Sequence, residues 1–230
     1  MFFHRRSGQA EYFDLPGQSE SETIALFRDL DRLNLVFRFS HPFVATLPKW
    51  LGRERCRQLD ILDLGAGTGL LGRRLSAWAE KRGWHWRITN LDLNPVALRL
   101  APAPSPVVGS VLALPFAEGS FDLVIASQMT HHLSDPKVLV HFREAWRVTR
   151  DAVFLCDLHR NAGLYALLRL STRCLRIDQR VSADALVSVK RGFHLGEWRE
   201  LAGQADLANA KVWLYLGTRI VLQARKRPQN

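Results

Sequence analysis

Cysteine and long apolar runs are scarce in this chain of 230 residues, and each scarcity excludes a class of protein. The three cysteines, Cys56, Cys156 and Cys174, are far apart and odd in number, so they indicate neither a zinc site nor a disulfide framework. No stretch approaches the ~18–20 uninterrupted apolar residues of a transmembrane helix. The first residues are not followed by the apolar segment of a secretory signal. We therefore expect a cytoplasmic protein without a membrane span.

Acidic residues are outnumbered, with 22 Asp and Glu against 32 Lys and Arg, which gives a formal net charge of +10. Such a surplus is compatible with a nucleic acid, an anionic membrane surface or an acidic substrate as partner. The positive residues are nevertheless spread along the chain, and the dense cluster at 224–227 predicts a solvated tail. We therefore expect the charge to be incidental and do not expect a nucleic acid partner.

The rest of the chain is organised around residues 59–69, which read LDILDLGAGTG. The segment opens with an apolar run too short for a helix, typical of a buried parallel strand, and a helix-period pattern follows it. A strand, a Gly-rich turn and a helix N-terminus together place backbone beside a ligand. Glycine suits this turn because a Cβ would block the close approach.

The spacing of the glycines indicates which ligand binds. The dinucleotide fingerprint G-x-G-x-x-G needs a glycine where this chain has Leu70, and the Gly-Lys-Ser/Thr of a P-loop is absent. Asp63 lies two residues before the first glycine, at the C-terminal end of the strand. Its carboxylate would repel a pyrophosphate but suits an ammonium group. We therefore expect a ligand with an amino acid end and no phosphate.

The sequence DLGAGTG at 63–69 resembles motif I of the class I S-adenosylmethionine-dependent methyltransferases. Further segments resemble that family in the same order, namely NLDLN at 90–94, GSVLALPF at 109–116, FDLVIAS at 121–127 and MTHHLSDP at 129–136. The resemblance covers roughly residues 59–158 and implies S-adenosylmethionine as the cofactor. Short motifs in the first helix also resemble a bacterial methyltransferase subgroup associated with type III polyketide synthases.

The resemblance implies a set of cofactor contacts. The carboxylate of Asp92 takes both ribose hydroxyls in this family. Ser110 stands where many relatives have an aspartate that accepts from the adenine amino group, and its neutral hydroxyl is the weaker acceptor. The residues expected to bind the cofactor are Asp63, Gly65, Ala66, Gly67, Gly69, Asp92, Leu93, Ser110, Val111 and Ser127.

Alternating strands and helices predict a parallel sheet with right-handed crossovers. The predicted strands are 59–64, 84–92, 107–109, 121–126 and 152–158, with a turn over 102–106 before the third. Two further β segments, 209–216 and 218–224, turn at Gly217. The resemblance implies a Rossmann-like three-layer α/β sandwich, whose mostly parallel seven-stranded sheet ends in an antiparallel C-terminal hairpin.

Two regions lie outside this alternation. Residues 1–55 predict an N-terminal arm and two helices, the first capped by Ser19 or Ser21, and residues 56–230 predict the cofactor-binding domain. Within that domain, residues 161–190 carry apolar helical runs after the fifth strand. Insertions at this point in the fold usually cover the active site, so we expect a helical lid with an apolar inner face.

His131 and His132 follow the fourth strand, at the edge of the sheet where ligands bind in this fold. Methyl transfer from a sulfonium needs aligned reactants and, for a hydroxyl acceptor, removal of a proton. By resemblance to relatives with an acidic residue at the first position, we expect His131 to be a general base that titrates near pH 6.5. Both histidines are candidate catalytic residues, but adjacent residues cannot both point the same way, so His132 is expected to pack behind the loop. No cluster of carboxylates lies near 151–163, so we expect no metal.

Two other polar residues have open interpretations. Arg160 ends the fifth strand and is predicted either to bind an anionic substrate group, or to cap a helix or pair with Asp157. His194 is predicted to cap the helix that contains Trp198.

The sequence favours a methyltransferase that acts on a small molecule, at a hydroxyl of an aromatic or polyketide-like compound. An RNA or protein methyltransferase is an alternative suggested by the charge, but the Asn/Asp-Pro-Pro-Tyr-type motif of nucleic acid amine methylases is absent after the fourth strand. A non-catalytic cofactor-binding partner subunit is a further alternative, disfavoured by the complete motif I and by Asp92.

Overall fold

The computed structural model describes residues 3–15, 17–100, 106–207 and 209–226. The strands within these residues are β1 (Gln58–Leu64), β2 (His85–Asp92), β3 (Pro106–Val108), β4 (Phe121–Ser127), β5 (Thr149–Leu158), β6 (Lys211–Tyr215) and β7 (Arg219–Arg225). The helices are α1 (Glu20–Val36), α2 (His41–Leu51), α3 (Leu70–Glu80), α4 (Pro95–Arg99), α5 (Asp135–Val148), α6 (Ala162–Cys174), α7 (Gln179–Arg191) and α8 (Leu195–Gln204). No helix among the described residues is both long and apolar enough to cross a membrane.

The strands form one sheet in the order β3-β2-β1-β4-β5-β7-β6. Strands β1 to β5 are parallel, and β7 runs antiparallel to both β5 and β6. The prediction of a mostly parallel seven-stranded sheet with an antiparallel C-terminal hairpin is confirmed. The strand order reverses between β1 and β4, and ligands bind beyond the carboxyl ends of the strands at such a point.

Both faces of the sheet are buried, which explains why its central strands are almost continuously apolar. Leu62 of β1 belongs to a cluster with Phe142 of α5 and Trp198 of α8. Ile61, its neighbour in sequence, points to the other face, in a cluster with Phe43 of α2 and Leu75 of α3. The helices on the two faces complete the predicted three-layer sandwich.

The helical insertion after β5 consists of α6 and α7, and its apolar residues divide between two faces. Leu164 and Leu168 of α6 are buried, whereas Leu167 and Leu170 are 47% and 63% exposed. Only part of the apolar character of the predicted lid therefore faces inward.

The prediction that residues 224–227 form a solvated tail is wrong for 224–226, the part of this cluster that the structure describes. Arg225 donates from Nε to Asp151 at 2.8 Å, and the Lys226 ammonium donates to the Thr149 carbonyl at 2.6 Å. Arg227 of this cluster lies outside the described residues, as do 101–105 of the predicted turn.

Residues 3–15, which we call the N-terminal arm, run across α7. The backbone amides of Tyr12 and Phe13 donate to the Asp184 carboxylate at 2.7 and 3.1 Å. The Ser7 amide donates to the Lys190 carbonyl at 3.0 Å. The arm is followed by α1, whose predicted cap Ser19 accepts from the Glu22 amide. These contacts hold the arm and α1 against the lid helices.

Candidate active site

A cavity of about 710 Å³ lies at the carboxyl ends of β1, β2 and β4. The Gly-rich loop forms one side, and the N-terminal arm, α1, α6 and α7 enclose the other. Apolar side chains from the enclosing segments include Phe13, Phe27, Phe37, Leu164, Leu168 and Val181. The cavity is within the ~300–1,000 Å³ typical of small-molecule sites.

The Gly-rich loop needs glycine at the positions that the motif predicts. Gly65 and Gly67 have φ angles of +66° and +54°, in the left-handed region that side chains disfavour. A Cβ on Gly65 would lie 2.3 Å from Cγ of Met129, so the loop after β4 occupies that space. α1 covers the loop from above, with the Thr68 hydroxyl donating to Asp31 at 2.8 Å.

Two carboxyl groups face the cavity from the ends of neighbouring strands. Asp63 is only 1% exposed, and its Oδ2 has no hydrogen-bond partner in the part of the chain that the structure describes. Burial, reinforced by the charge of Asp92, raises the pKa of Asp63 to about 8. Asp92 accepts from the Gly67 amide at 2.7 Å, but burial still raises its pKa. An orphaned buried carboxyl group beside a Gly-rich loop fits the ammonium group of an amino acid ligand.

Most of the residues predicted to bind the cofactor line this cavity. They are Asp63, Gly65, Ala66, Gly67, Asp92, Leu93, Val111 and Ser127. Gly69 does not line it but is the N-cap of α3, and its φ of +68° turns the chain into that helix. Ser110 does not line it either, and its hydroxyl accepts from the Leu112 amide at 3.1 Å. That hydroxyl keeps its proton and a second lone pair, so the contact with the adenine stays a prediction.

His131 and His132 both line the cavity, on the short 3₁₀ turn Thr130–His132. Their rings lie with centroids 4.4 Å apart at an angle of 33°. The expectation that His132 packs behind the loop is wrong, because its side chain is 27% exposed and His131 is the buried member of the pair. Each Nδ1 contacts a carboxylate, since His131 lies 2.6 Å from Asp157 and His132 lies 2.8 Å from Asp14.

The charge state of His131 differs from the expected one. Burial disfavours the charged ring, but the charge of Asp157, its hydrogen bond to the ring and the charge of Glu11 raise the pKa of His131 to about 10. The same interactions lower the pKa of Asp157 despite its burial. In this arrangement the ring carries a proton at neutral pH, so it is not a base of ordinary pKa.

Glu11 is the site residue that the sequence did not reveal. It lies on the N-terminal arm and is 3% exposed. Its Oε1 is 3.5 Å from Nε2 of His131, and its Oε2 is 3.6 Å from Nε2 of His132. The available signal is weak, namely two acids at the ends of the apolar pair Tyr12-Phe13.

Arg191 ties the arm to the histidines. Its guanidinium donates to the carbonyls of His131 and His132 at 3.1 and 2.7 Å and to Asp14 at 2.6 Å. The position of both rings therefore depends on α7 and on the arm.

Arg160 does not line the cavity and does not pair with Asp157, but it contacts Gly192, the C-cap of α7, as one of the predicted alternatives has it. It is fully buried and pairs with Glu197, and it donates to the carbonyls of Gly192 and Phe3 at 2.6 and 2.9 Å. It therefore joins the arm to α8. His194 is the N-cap residue of α8, as predicted, and its backbone amide donates to Glu197 at 2.7 Å.

Residues 62–156 match the methyltransferase domain family. The matched segment contains the Gly-rich loop, Asp92 and both cavity histidines. The matched segment is a class I methyltransferase domain. S-adenosylmethionine is the cofactor of this class, in agreement with the sequence prediction.

Two curated relatives and one solved structure illustrate the similarity. The chain is 37% identical over 107 residues to the malonyl-[acyl-carrier protein] O-methyltransferase of Hahella chejuensis, a match that covers 44% of this chain and 36% of that protein. It is 32% identical over 117 residues to the ubiquinone biosynthesis O-methyltransferase of Ralstonia nicotianae, covering 46% of each. These matches span less than half the length of either relative.

The solved structure is from Methanococcus maripaludis and is assigned to the S-adenosyl-L-methionine-dependent methyltransferases. It superimposes with a TM-score of 0.63 over 97% of this chain and 99% of that one, at 14% identity. At this identity the likeness shows the fold.

Proposed function

We propose that the protein transfers a methyl group from S-adenosylmethionine to a hydroxyl of a small aromatic or polyketide-like compound. The observation that carries the proposal is the unpartnered, buried Oδ2 of Asp63 beside the Gly-rich loop. A cofactor with an ammonium group and no phosphate supplies the partner that this carboxyl group lacks.

When bound, the cofactor would supply a methyl group on a sulfonium, and the leaving group of a direct displacement by the acceptor oxygen would be its neutral thioether, S-adenosylhomocysteine. Asp63 would bind the ammonium group and Asp92 the ribose hydroxyls, while Gly65 and Gly67 allow the ligand to approach the backbone. Leu93 and Val111 offer apolar surface for the adenine ring on the same side of the cavity. The cluster of Glu11, His131 and His132 lies on the same cavity wall, and we assign the handling of the acceptor proton to it.

The enclosure of the cavity supports a small acceptor. Its outer side consists of the N-terminal arm, α1 and the lid helices, with apolar side chains from each. Buried apolar walls with a few convergent polar groups are typical of small-molecule sites. Both curated relatives are named O-methyltransferases, which supports oxygen as the acceptor atom. We place the activity in secondary metabolism and in the cytoplasm, where free cysteines such as Cys56, Cys156 and Cys174 persist.

The positive charge gives little support to an RNA or protein substrate. Arginines pair with carboxylates of this chain and are thereby partly neutralised, as in the pairs formed by Arg6, Arg32, Arg55, Arg57, Arg87, Arg99, Arg147, Arg150, Arg160, Arg180, Arg191 and Arg225. The non-catalytic alternative is disfavoured because Asp63 and Asp92 both line the cavity.

The test has a binding step and a transfer step. Calorimetry should show S-adenosylmethionine and its demethylated product binding in the low micromolar range, roughly −8 kcal/mol. Incubation with methyl-labelled cofactor and a panel of phenols and polyketide-like compounds should then label one class of acceptor. Binding of a nicotinamide dinucleotide in place of either cofactor form would refute the assignment. Label appearing in RNA or protein, and in no small molecule, would refute the acceptor class.

A further inference from the structure

Three potential metal-ligand groups meet on the cavity wall, where Glu11 contributes a carboxylate and His131 and His132 each contribute an imidazole. Their donor atoms all lie within 4.8 Å of one another. Oε1 of Glu11 and Nε2 of His131 are buried and have no hydrogen-bond partner among the described residues. Buried polar atoms are costly unless they are satisfied, so this pair requires an explanation.

A shared proton does not explain the distances. A charged N–H···O hydrogen bond between an imidazole and a carboxylate has a length of ~2.7–2.9 Å. Nε2 of His131 lies 3.5 Å from Oε1 of Glu11, and Nε2 of His132 lies 3.6 Å from Oε2. Both separations are close to the ~3.4 Å edge of a tetrahedron around an ion with bonds of ~2.0–2.2 Å.

We propose that Glu11, His131 and His132 bind one divalent transition-metal ion through the carboxylate and the two Nε2 atoms. The site rests on this geometry alone and needs no assumption about the cofactor. This proposal departs from the expectation of no metal, which rested on the absence of a carboxylate cluster near 151–163.

The other nitrogen of each ring is held as metal-ligating histidines require. Asp157 contacts Nδ1 of His131 at 2.6 Å, and Asp14 contacts Nδ1 of His132 at 2.8 Å. Carboxylates in this position fix the ring orientation and make Nε2 the ligand atom. Both histidines therefore present the same nitrogen toward Glu11.

The local charges also favour a dication. Glu11, Asp14 and Asp157 provide three carboxylates, and Arg191 provides one guanidinium that contacts Asp14 and approaches Glu11 to 3.9 Å. When metal binding displaces the His131 proton and both rings are neutral, these groups sum to a charge of −2, which one divalent ion balances.

The donor set selects the kind of metal. Two imidazoles and one carboxylate suit Zn²⁺, Fe²⁺ or Mn²⁺, whereas Mg²⁺ and Ca²⁺ prefer oxygen ligands throughout. Three protein ligands leave a coordination position open toward the cavity. If the proposed function holds, the acceptor hydroxyl would occupy that position, and the ion would lower its pKa so that its proton is released to water before the oxygen attacks the methyl group.

The test uses metal-free protein without cofactor, titrated with Co²⁺ and followed by visible absorption and by calorimetry with Zn²⁺. One ion per chain should bind, with the strong absorption bands of low-coordinate Co²⁺. Glu11→Gln and His132→Gln should weaken binding by more than the ~10–100-fold that the loss of an outer partner costs, and Asp14→Asn should fall within that range. The matched controls Glu80→Gln and His85→Gln alter exposed residues outside the site and should bind like the parent.

Two results would overturn the metal site. One is the absence of saturable uptake by the parent, and the other is equal uptake by the parent and a well-folded Glu11→Gln variant. If that variant fails to fold, His132→Gln decides, because the His132 side chain is 27% exposed and its loss should be tolerated by the fold, and parent-like uptake by this variant would overturn the site. Cofactor binding is measured separately, so a protein that binds the metal but no S-adenosylmethionine would refute the function and leave the metal site standing.

Discussion

Nδ1 of His131 lies 2.6 Å from Oδ1 of Asp157, and both side chains are buried. The same carboxylate accepts from the His131 amide at 2.9 Å through its other oxygen. One residue of β5 therefore fixes both the backbone and the ring of a cavity residue.

Replacing Asp157 should destabilise the fold as well as the site. In metal-free protein, Asp157→Asn should reduce the free energy of unfolding by ~3–5 kcal/mol at pH 7, because the charged His131 ring is left buried without its partner. The measurement is a urea titration. The matched control is Asp135→Asn, which removes an exposed pair with Arg6 and should cost less than ~1 kcal/mol. Equal losses in the two variants would show that the buried pair contributes no more than a surface pair.

Cofactor binding should release a proton from Asp63. Burial raises the pKa of this carboxyl to about 8, so it is largely protonated at pH 7 in the free protein. An ammonium group placed beside it favours the carboxylate and lowers that pKa. Calorimetry at pH 7 in buffers of different ionisation enthalpy should therefore show up to one proton released per cofactor. Asp63→Asn should abolish the release, and a parent that releases none would contradict the assigned contact.

The same pKa shift sets a direction for stability. Folding raises the pKa of Asp63 above its ordinary value. The contribution of this group to the free energy of unfolding is therefore complete below about pH 4 and is lost as the pH rises through about 8. The free energy of unfolding of Asp63→Asn should accordingly fall less than that of the parent between these limits. Urea titrations of both proteins across this range provide the measurement.

Asp92→Ala should weaken cofactor binding by ~2–4 kcal/mol, since it removes a charged acceptor for the ribose hydroxyls. Asp60→Ala is the matched control, because Asp60 lies near the opposite end of β1 and pairs with Arg87 and Arg150. Calorimetry with S-adenosylhomocysteine should leave the control within about threefold of the parent. Parent-like binding by Asp92→Ala would mean that the ligand lies elsewhere.

Gly65→Ala and Gly119→Ala form a matched pair because both glycines have nearly the same φ, +66° and +65°. At Gly119 the nearest atom to a new Cβ is 3.7 Å away, so the cost should be the conformational ~1–2 kcal/mol alone. At Gly65 the new Cβ meets Met129 at 2.3 Å, which should add ~1–3 kcal/mol and abolish cofactor binding. Urea titration gives the stabilities, and equal losses would contradict the predicted clash.

Much of the sheet could be predicted because each signal was local. The apolar run at Leu59–Leu64, the glycines after it and the alternation that follows depend on neighbouring residues, and the structure confirms the strand and helix they indicate. The start of β5 was missed by three residues. Thr149 pairs with Phe121 across an irregular register, and its hydroxyl donates to the Ala152 carbonyl, so no simple alternation marks that end.

The composition of the site could be predicted only where it depends on motifs. Asp63 and Asp92 face the cavity because the ends of parallel strands meet at one edge of a sheet. Glu11 could not be placed, because it meets His131 and His132 only after the arm has docked on α7. The contact of Ser110 with the adenine stays a prediction, since the structure shows its hydroxyl accepting from the Leu112 amide and does not test the ligand contact.

The docked arm affects the order in which the parts of the candidate active site come together as the chain is synthesised. Its partners Asp184 and Lys190 follow Tyr12 and Ser7 by more than 170 residues, so the segment that closes the cavity leaves the ribosome long before the surface that receives it. Such distant contacts form late, after the sheet and α7 have assembled. Glu11 therefore joins His131 and His132 as a final step, and the cavity histidines stay open to solvent until almost the whole described chain has been synthesised.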